Sequence, residues 1–136
     1  MSEENVEIVR RQWKAFRDRD WAAAFEPVGA EIVMDTTRTP IEGLNRVYRG
    51  REEVAAFWSE WLEAWGEQQI AEPEVIDAGD QVVVWITSHE FKGRGSGVTV
   101  DFPPYAWLAT LRDGKIVRGT MYMDRQEALE AAGLSD

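Results

Sequence analysis

Apolar residues recur at helical spacing from the start of the chain. Val6, Val9, Trp13 and Phe16 fall on one stripe, as an amphipathic helix requires. Ser2 can cap this helix, and Glu3 and Glu4 put negative charge in its first turn, where the helix dipole favours it. The polar run Arg17 to Asp20 interrupts the pattern. Asp20 then caps a short second helix, Trp21 to Glu26, stopped at Pro27. Residues 30–34 read as a strand that enters Asp35. Thr36 to Arg49 is a long connection with a short strand at Arg46 to Tyr48; loops of this length in compact domains often carry function. Gly50 to Gly66 reads as the clearest helix. Val54, Trp58, Trp61 and Trp65 share an arc of about 60° on it, and Phe57 and Leu62 widen the stripe.

From Gln68 the period changes to that of strands. Gln69 to Ile76 is one strand, with Pro73 making it an edge or a bulged one. Residues 77–80 form a turn, and Gln81 to Phe91 is the next strand. After the Gly-rich turn 93–97, Val98 to Leu111 is a long strand that Pro103 and Pro104 must bend. Arg112-Asp113-Gly114-Lys115 is a hairpin signal, and Lys115 to Met123 is the last strand. Asp124 to Glu127 is a capping box opening a final short helix, which Gly133 closes. Strands joined by tight hairpins are antiparallel. The pattern therefore predicts one α+β domain over residues 1–136: a curved antiparallel sheet, ending in a four-strand meander, with helices on one face.

Composition narrows the function. The 136 residues include 25 acidic and 15 basic side chains, a net charge of −10. That balance argues against nucleic acid and anionic membrane as partners, both of which select Lys and Arg. There is no Cys and a single His, too few ligands for thiolate or two-His metal sites. No organic cofactor or metal is expected. No apolar run is long enough to span a bilayer, and the acidic start lacks the apolar core of a signal peptide, so a cytoplasmic protein is expected. Seven Trp, five Phe and three Tyr supply large apolar areas that build cores, pockets or interfaces.

Strand residues alternate between faces. Trp85, Thr87, His89 and Phe91 are placed on the inner face of their strand, and Val82, Val84 and Ile86 on the outer one. Tyr105, Trp107, Ala109 and Leu111 point inward on the next strand. Asp101 joins them only if the two prolines leave the register intact. Gly119, Met121 and Met123 point inward on the last strand, and Tyr122 outward. With Trp13, Phe16, Trp58 and Trp61 from the helices, these residues are the candidate lining of a pocket. The plainer reading is that the aromatics simply fill the core.

Several stretches together resemble the SnoaL-like branch of the nuclear transport factor 2-like superfamily. They are residues 4–9, Arg19-Asp20-Trp21, Tyr48 to Val54, Gly93 to Gly97, Leu111 to Ile116, Tyr122 to Arg125 and Glu127 to Leu134. The resemblance implies a cone-shaped fold with an internal pocket roofed by the N-terminal helices, and a homodimer joined through the outer face of the sheet. Val82, Val84 and Ile86 would supply the apolar area of that face. The superfamily holds isomerases, cyclases, dehydratases, epoxide hydrolases and binding domains, and a shared fold does not choose among them.

Asp35 falls, by that resemblance, where ketosteroid isomerase keeps its general-base Asp. A carboxylate at an apolar cavity mouth is desolvated, which raises its pKa and makes it a better base. A loop Asp capping local N–H groups is the plainer reading. His89 on the inner face would make an Asp–His pair like that of scytalone dehydratase, with a His pKa raised by the carboxylate. The departures are at Gln12, Trp107 and Met121, which stand near positions where ketosteroid isomerase or limonene-epoxide hydrolase carries polar catalytic groups. The expectation is a small-molecule pocket, for an apolar organic ligand, with cofactor-independent acid–base chemistry by Asp35 and His89 of isomerase, cyclase or lyase type. The alternatives are a binding module without turnover and a dimeric accessory domain whose cavity is filled by Trp and Met.

Overall fold

The computed structural model describes residues 2–40, 43, 45–93, 95 and 97–134, with the backbone alone at 2 and 61–66. Helix α1 (Ser2–Arg17) carries Glu3 and Glu4 in its first turn and Lys14 and Arg17 in its last, the charge order its dipole favours. It buries Val9, Trp13 and Phe16. Asp20 then caps α2 (Trp21–Phe25), its side chain accepting from the Ala23 N–H at 3.2 Å. The chain continues through β1 (Val28–Asp35) and β2 (Val47–Arg49) into α3 (Arg51–Ala64). Gly50, at φ +88°, makes the turn into that helix, and Glu53 reaches back to accept from the Arg49 N–H at 2.8 Å. The helix stops two residues short of the expected Gly66, because the backbone passes directly into β3 (Trp65–Ile70).

The three long strands expected after this point are each divided. The first becomes β3 and β4 (Glu74–Ala78), parted at residues 71–73. The second becomes β5 (Gln81–Ile86) and β6 (His89–Gly93), parted at Thr87 and Ser88. The third becomes β7 (Thr99–Phe102) and β8 (Tyr105–Arg112), parted at Pro103 and Pro104. The breaks lie side by side, and the Ala71 N–H donates to the Ser88 carbonyl across two of them. On one side β3, β6 and β7 form a three-stranded sheet. On the other, β4, β5 and β8 join β9 (Lys115–Tyr122), β1 and β2 in a six-stranded one, ordered β2-β1-β9-β8-β5-β4. Bending one sheet along a line of breaks is what curves the structure around its interior. All neighbours pair antiparallel except β1 and β9, which are parallel. The sheet is thus antiparallel-rich rather than wholly antiparallel. Asp113 and Gly114, both at positive φ, make the β8–β9 hairpin, as the Asp-Gly pair predicts.

The breaks also change which side chains face inward. Val82, Val84 and Ile86 are fully buried in the main core with Val9, Trp13, Trp107 and Met121. Val83 packs instead with Ala106 and Leu108 on the outer face, under Ala128 and Leu129 of α4 (Arg125–Ala131), and Trp85 lies beside them. The expected faces of β5 are therefore exchanged. Thr87 and Ser88 are exposed and carry the chain across the bend, so alternation counted through them loses its phase. Val82, Val84 and Ile86 are not available to an intermolecular contact, and part of the outer face is already covered by α4.

Candidate functional site

Where the two sheets meet, side chains from both close a cavity of about 420 Å³, its mouth included. His89 and Phe91 enter from β6, and Tyr105 and Trp107 from β8. Phe102 precedes the two prolines. Met121 comes from β9, Phe57 and Trp58 from α3, and Thr36 and Thr39 from the loop after β1. Phe102 stands edge-on to Tyr105, with centroids 5.2 Å apart, and His89 lies over Phe91 at 4.0 Å. The break at the prolines brings Phe102 and Tyr105 to the same cavity although they are an odd number of residues apart.

His89 is 3% exposed. Its Nδ1 is 2.6 Å from the Tyr105 hydroxyl and its Nε2 is 3.0 Å from Gln68 Oε1. With the Gln68 oxygen as acceptor, Nε2 carries the ring proton, so Nδ1 accepts from the Tyr105 O–H. Burial pushes the His89 pKa down to about 4 and holds the Tyr105 hydroxyl well above its usual range, since low-dielectric surroundings disfavour each charged form. Both groups are neutral at pH 7. Among the described residues, the indole N–H of Trp107 and the Gln68 Nε2 are buried with no hydrogen-bond partner. Such groups ordinarily find one.

A second cavity of about 650 Å³, again with its mouth, lies beyond Trp107 towards α1 and α2. Trp13 and Phe16 line it from α1, Met34 from β1, and Gly119 from β9, while Trp58 and Trp107 border both cavities. Among the described residues the lining is apolar except for Gln12, whose amide donates to the Ala24 carbonyl at 3.2 Å.

Asp35 and His89 are not brought together. Ile32 and Met34 of β1 point into the core, so Asp35, of opposite parity, points to the outer side. There its carboxylate accepts from the N–H and hydroxyl of Thr37 at 3.0 and 2.7 Å. Arg118 and Arg38 lie 3.5 and 3.9 Å from it. Burial tends to raise its pKa, but the Thr37 hydrogen bonds and the two arginines outweigh that and lower it. The expected raised pKa, and a raised His89 pKa with it, are both reversed. Thr36, the next residue, is the one that reaches the cavity.

The other expected lining residues divide. Trp13, Phe16, Trp58, Phe91, Tyr105, Trp107 and Met121 border one cavity or the other, and Met123 packs partly buried against the main core. Trp85 lies on the outer face, and Thr87 and Asp101 are exposed. Asp101 misses the interior because the prolines do break the register. The Trp61 side chain lies outside the described residues. Sequence reasoning missed Thr36, Thr39, Phe57, Phe102 and Gln68. Alternation from Met34 points to Thr36, but nothing local in the sequence marks Gln68 as the partner of His89. Among the described residues no three His, Asp or Glu side chains gather as a metal ion would need, and no helix is long and apolar enough to cross a membrane.

The sequence pattern of the SnoaL-like domain matches residues 9–119. Among solved structures, TerC co-crystallised with polyporic acid is 24% identical, with 96% of this chain and 98% of that one covered and a TM-score of 0.72. An NTF2-like protein of unknown function from Burkholderia pseudomallei K96243 is 22% identical over 93% and 95% of the two chains, with a TM-score of 0.74. An NTF2-like protein from Burkholderia xenovorans LB400 is 22% identical over 97% of each, with a TM-score of 0.72. At these identities the likeness is one of fold. No curated protein sequence matches the chain.

Proposed function

The chain belongs to the SnoaL-like domain family, and from that premise we propose that it binds a small, uncharged, largely apolar organic molecule in the cavity around His89. The observation that carries this reading is a buried aromatic chamber whose titratable groups among the described residues, His89 and Tyr105, are both neutral at pH 7. A charged ligand would be desolvated there with no counter-charge, whereas an apolar ring with one polar atom would be well matched. The crystallisation of TerC with polyporic acid supports a small organic ligand for the fold. Acetophenone and 2-naphthol are suitable probes. A saturable change in tryptophan fluorescence, reduced in Phe91→Ala, is expected. Absence of any saturable change with both would overturn the reading.

A second reading is proton exchange with the bound ligand, as an isomerase, cyclase or lyase would perform. The 2.6 Å contact between His89 and Tyr105 inside the chamber favours it; Asp35, turned to the outer side, takes no part. The test is deuterium incorporation into the methyl group of acetophenone in D2O, followed by NMR. Exchange above the buffer rate that is lost in His89→Gln would support this reading, and exchange at the buffer rate would leave binding alone.

A further inference from the structure

Among the described residues the two cavities share two lining residues, Trp58 and Trp107, and these side chains stand between them. Trp58 is held on two sides, edge-on to Phe16 at 4.8 Å and to Phe57 at 5.0 Å. The residue beneath the six-membered ring of Trp107 is Gly119, where even an added Cβ would stand 3.8 Å from Cε3. The Trp107 N–H is buried with no partner among the described residues, an arrangement that costs free energy in the closed position and is relieved when an acceptor arrives. The compartments also differ in chemistry. One holds His89, Tyr105 and two threonines; the other, among the described residues, is apolar apart from Gln12, already hydrogen-bonded to the backbone.

We propose that Trp107 is a movable partition, and that the ligand is an elongated uncharged molecule whose two apolar ring-bearing ends occupy the two cavities, with a hydrogen-bond acceptor between them that takes the Trp107 N–H. This rests on the ligand-binding reading above and specifies the class of molecule. A one-ring ligand fills only the chamber beside His89. A two-ring ligand joined through a carbonyl fills both and pairs the indole at the waist.

Three probes separate the possibilities: trans-chalcone, with two rings and a carbonyl in the linker; trans-stilbene, with two rings and no acceptor; and acetophenone, with one ring and a carbonyl. Calorimetric titration of the full chain is expected to show chalcone binding about tenfold more tightly than stilbene, the ratio one hydrogen bond to a buried donor supplies, and more tightly than acetophenone. Trp107→Phe keeps an aromatic wall without the N–H, and the chalcone-to-stilbene ratio should fall to near one. Gly119→Ala places a methyl group against the ring without a clash, and should weaken chalcone more than acetophenone. In a 15N-labelled sample the indole signal absent from Trp107→Phe identifies Trp107, and chalcone should move that signal downfield. Equal affinity for chalcone and stilbene in the wild type, or a ratio unchanged by Trp107→Phe, would overturn the proposal. Binding of acetophenone without binding of chalcone would overturn it while leaving the ligand-binding reading intact. Binding of none of the three would remove both.

Discussion

The Tyr105 hydroxyl donates to Nδ1 of His89 across the line where the two sheets bend apart, joining β8 of one sheet to β6 of the other at 2.6 Å. The bond is buried at both ends, since Tyr105 and His89 are 4% and 3% exposed. Removing one partner therefore strands the other. Tyr105→Phe is expected to cost about 1–3 kcal/mol, the penalty for an unpaired buried polar group, read as a lower urea midpoint at unchanged slope.

The pH dependence of stability has a sign that follows from His89 alone. Its pKa is about 4 in the folded chain and about 6.5 when unfolded. Between those values the unfolded chain binds a proton that the folded one does not, so stability falls as pH falls through that window. The loss amounts to about 3 kcal/mol by pH 4 and is absent above the unfolded value. Because this is the only His, its ring signal gives the titration without assignment, and a midpoint near 6.5 in the native protein would show that burial does not hold it neutral.

Asp35→Asn tests the outward placement of that side chain. Its arginine partners are about half exposed, where ion pairs contribute little. A loss of about 1 kcal/mol or less at neutral pH is expected. Since the Asp35 pKa is lowered, its contribution is present above the unfolded carboxylate value and disappears below it, a lower window than that of His89. The His89 titration should be the same in the variant and the wild type. A shifted His89 midpoint in Asp35→Asn would contradict the separation of the two residues.

The exchanged faces of β5 can be checked by a pair of substitutions one position apart. Ile86→Asn puts an amide where no exposed surface exists and should cost about 3–5 kcal/mol, from lost burial and an unpaired polar group together. Thr87→Asn, exposed on the bend, should stay within about 0.5 kcal/mol of the wild type. Similar urea midpoints for the two would restore the opposite parity.

Much of this fold is written locally. The caps at Asp20 and Asp124 and the Asp113-Gly114 turn are short-range signals, and each marks a real boundary. The phase of the strands is not written that way. A run such as 81–91 has strand character throughout, and only tertiary structure decides that Thr87 and Ser88 leave one sheet for another. That single shift leaves His89 and Phe91 inside, as expected, while turning Trp85 out. For the candidate site, the same limit separates residues on continuous strands, such as Tyr105 and Trp107, from Asp101 and Gln68, whose positions depend on breaks or on a partner strand. Asp35 is the simpler case: its position at the end of a strand says nothing of its side until β1 is anchored by Ile32 and Met34.

The parallel pairing of β1 with β9 has a kinetic consequence. β1 sits in the interior of the six-stranded sheet, with β2 on one flank and β9 on the other, yet Val28 meets Ile116 and Met34 meets Gly119 only after nearly the whole intervening chain exists. During synthesis, one edge of β1 stays bare while α1, α2 and α3 are already available to collapse against it. Closing so long a loop costs entropy before any contact repays it, so docking of β9 is expected to be the late, rate-limiting event in folding, and an unpaired β1 edge is the surface a nascent chain exposes to aggregation.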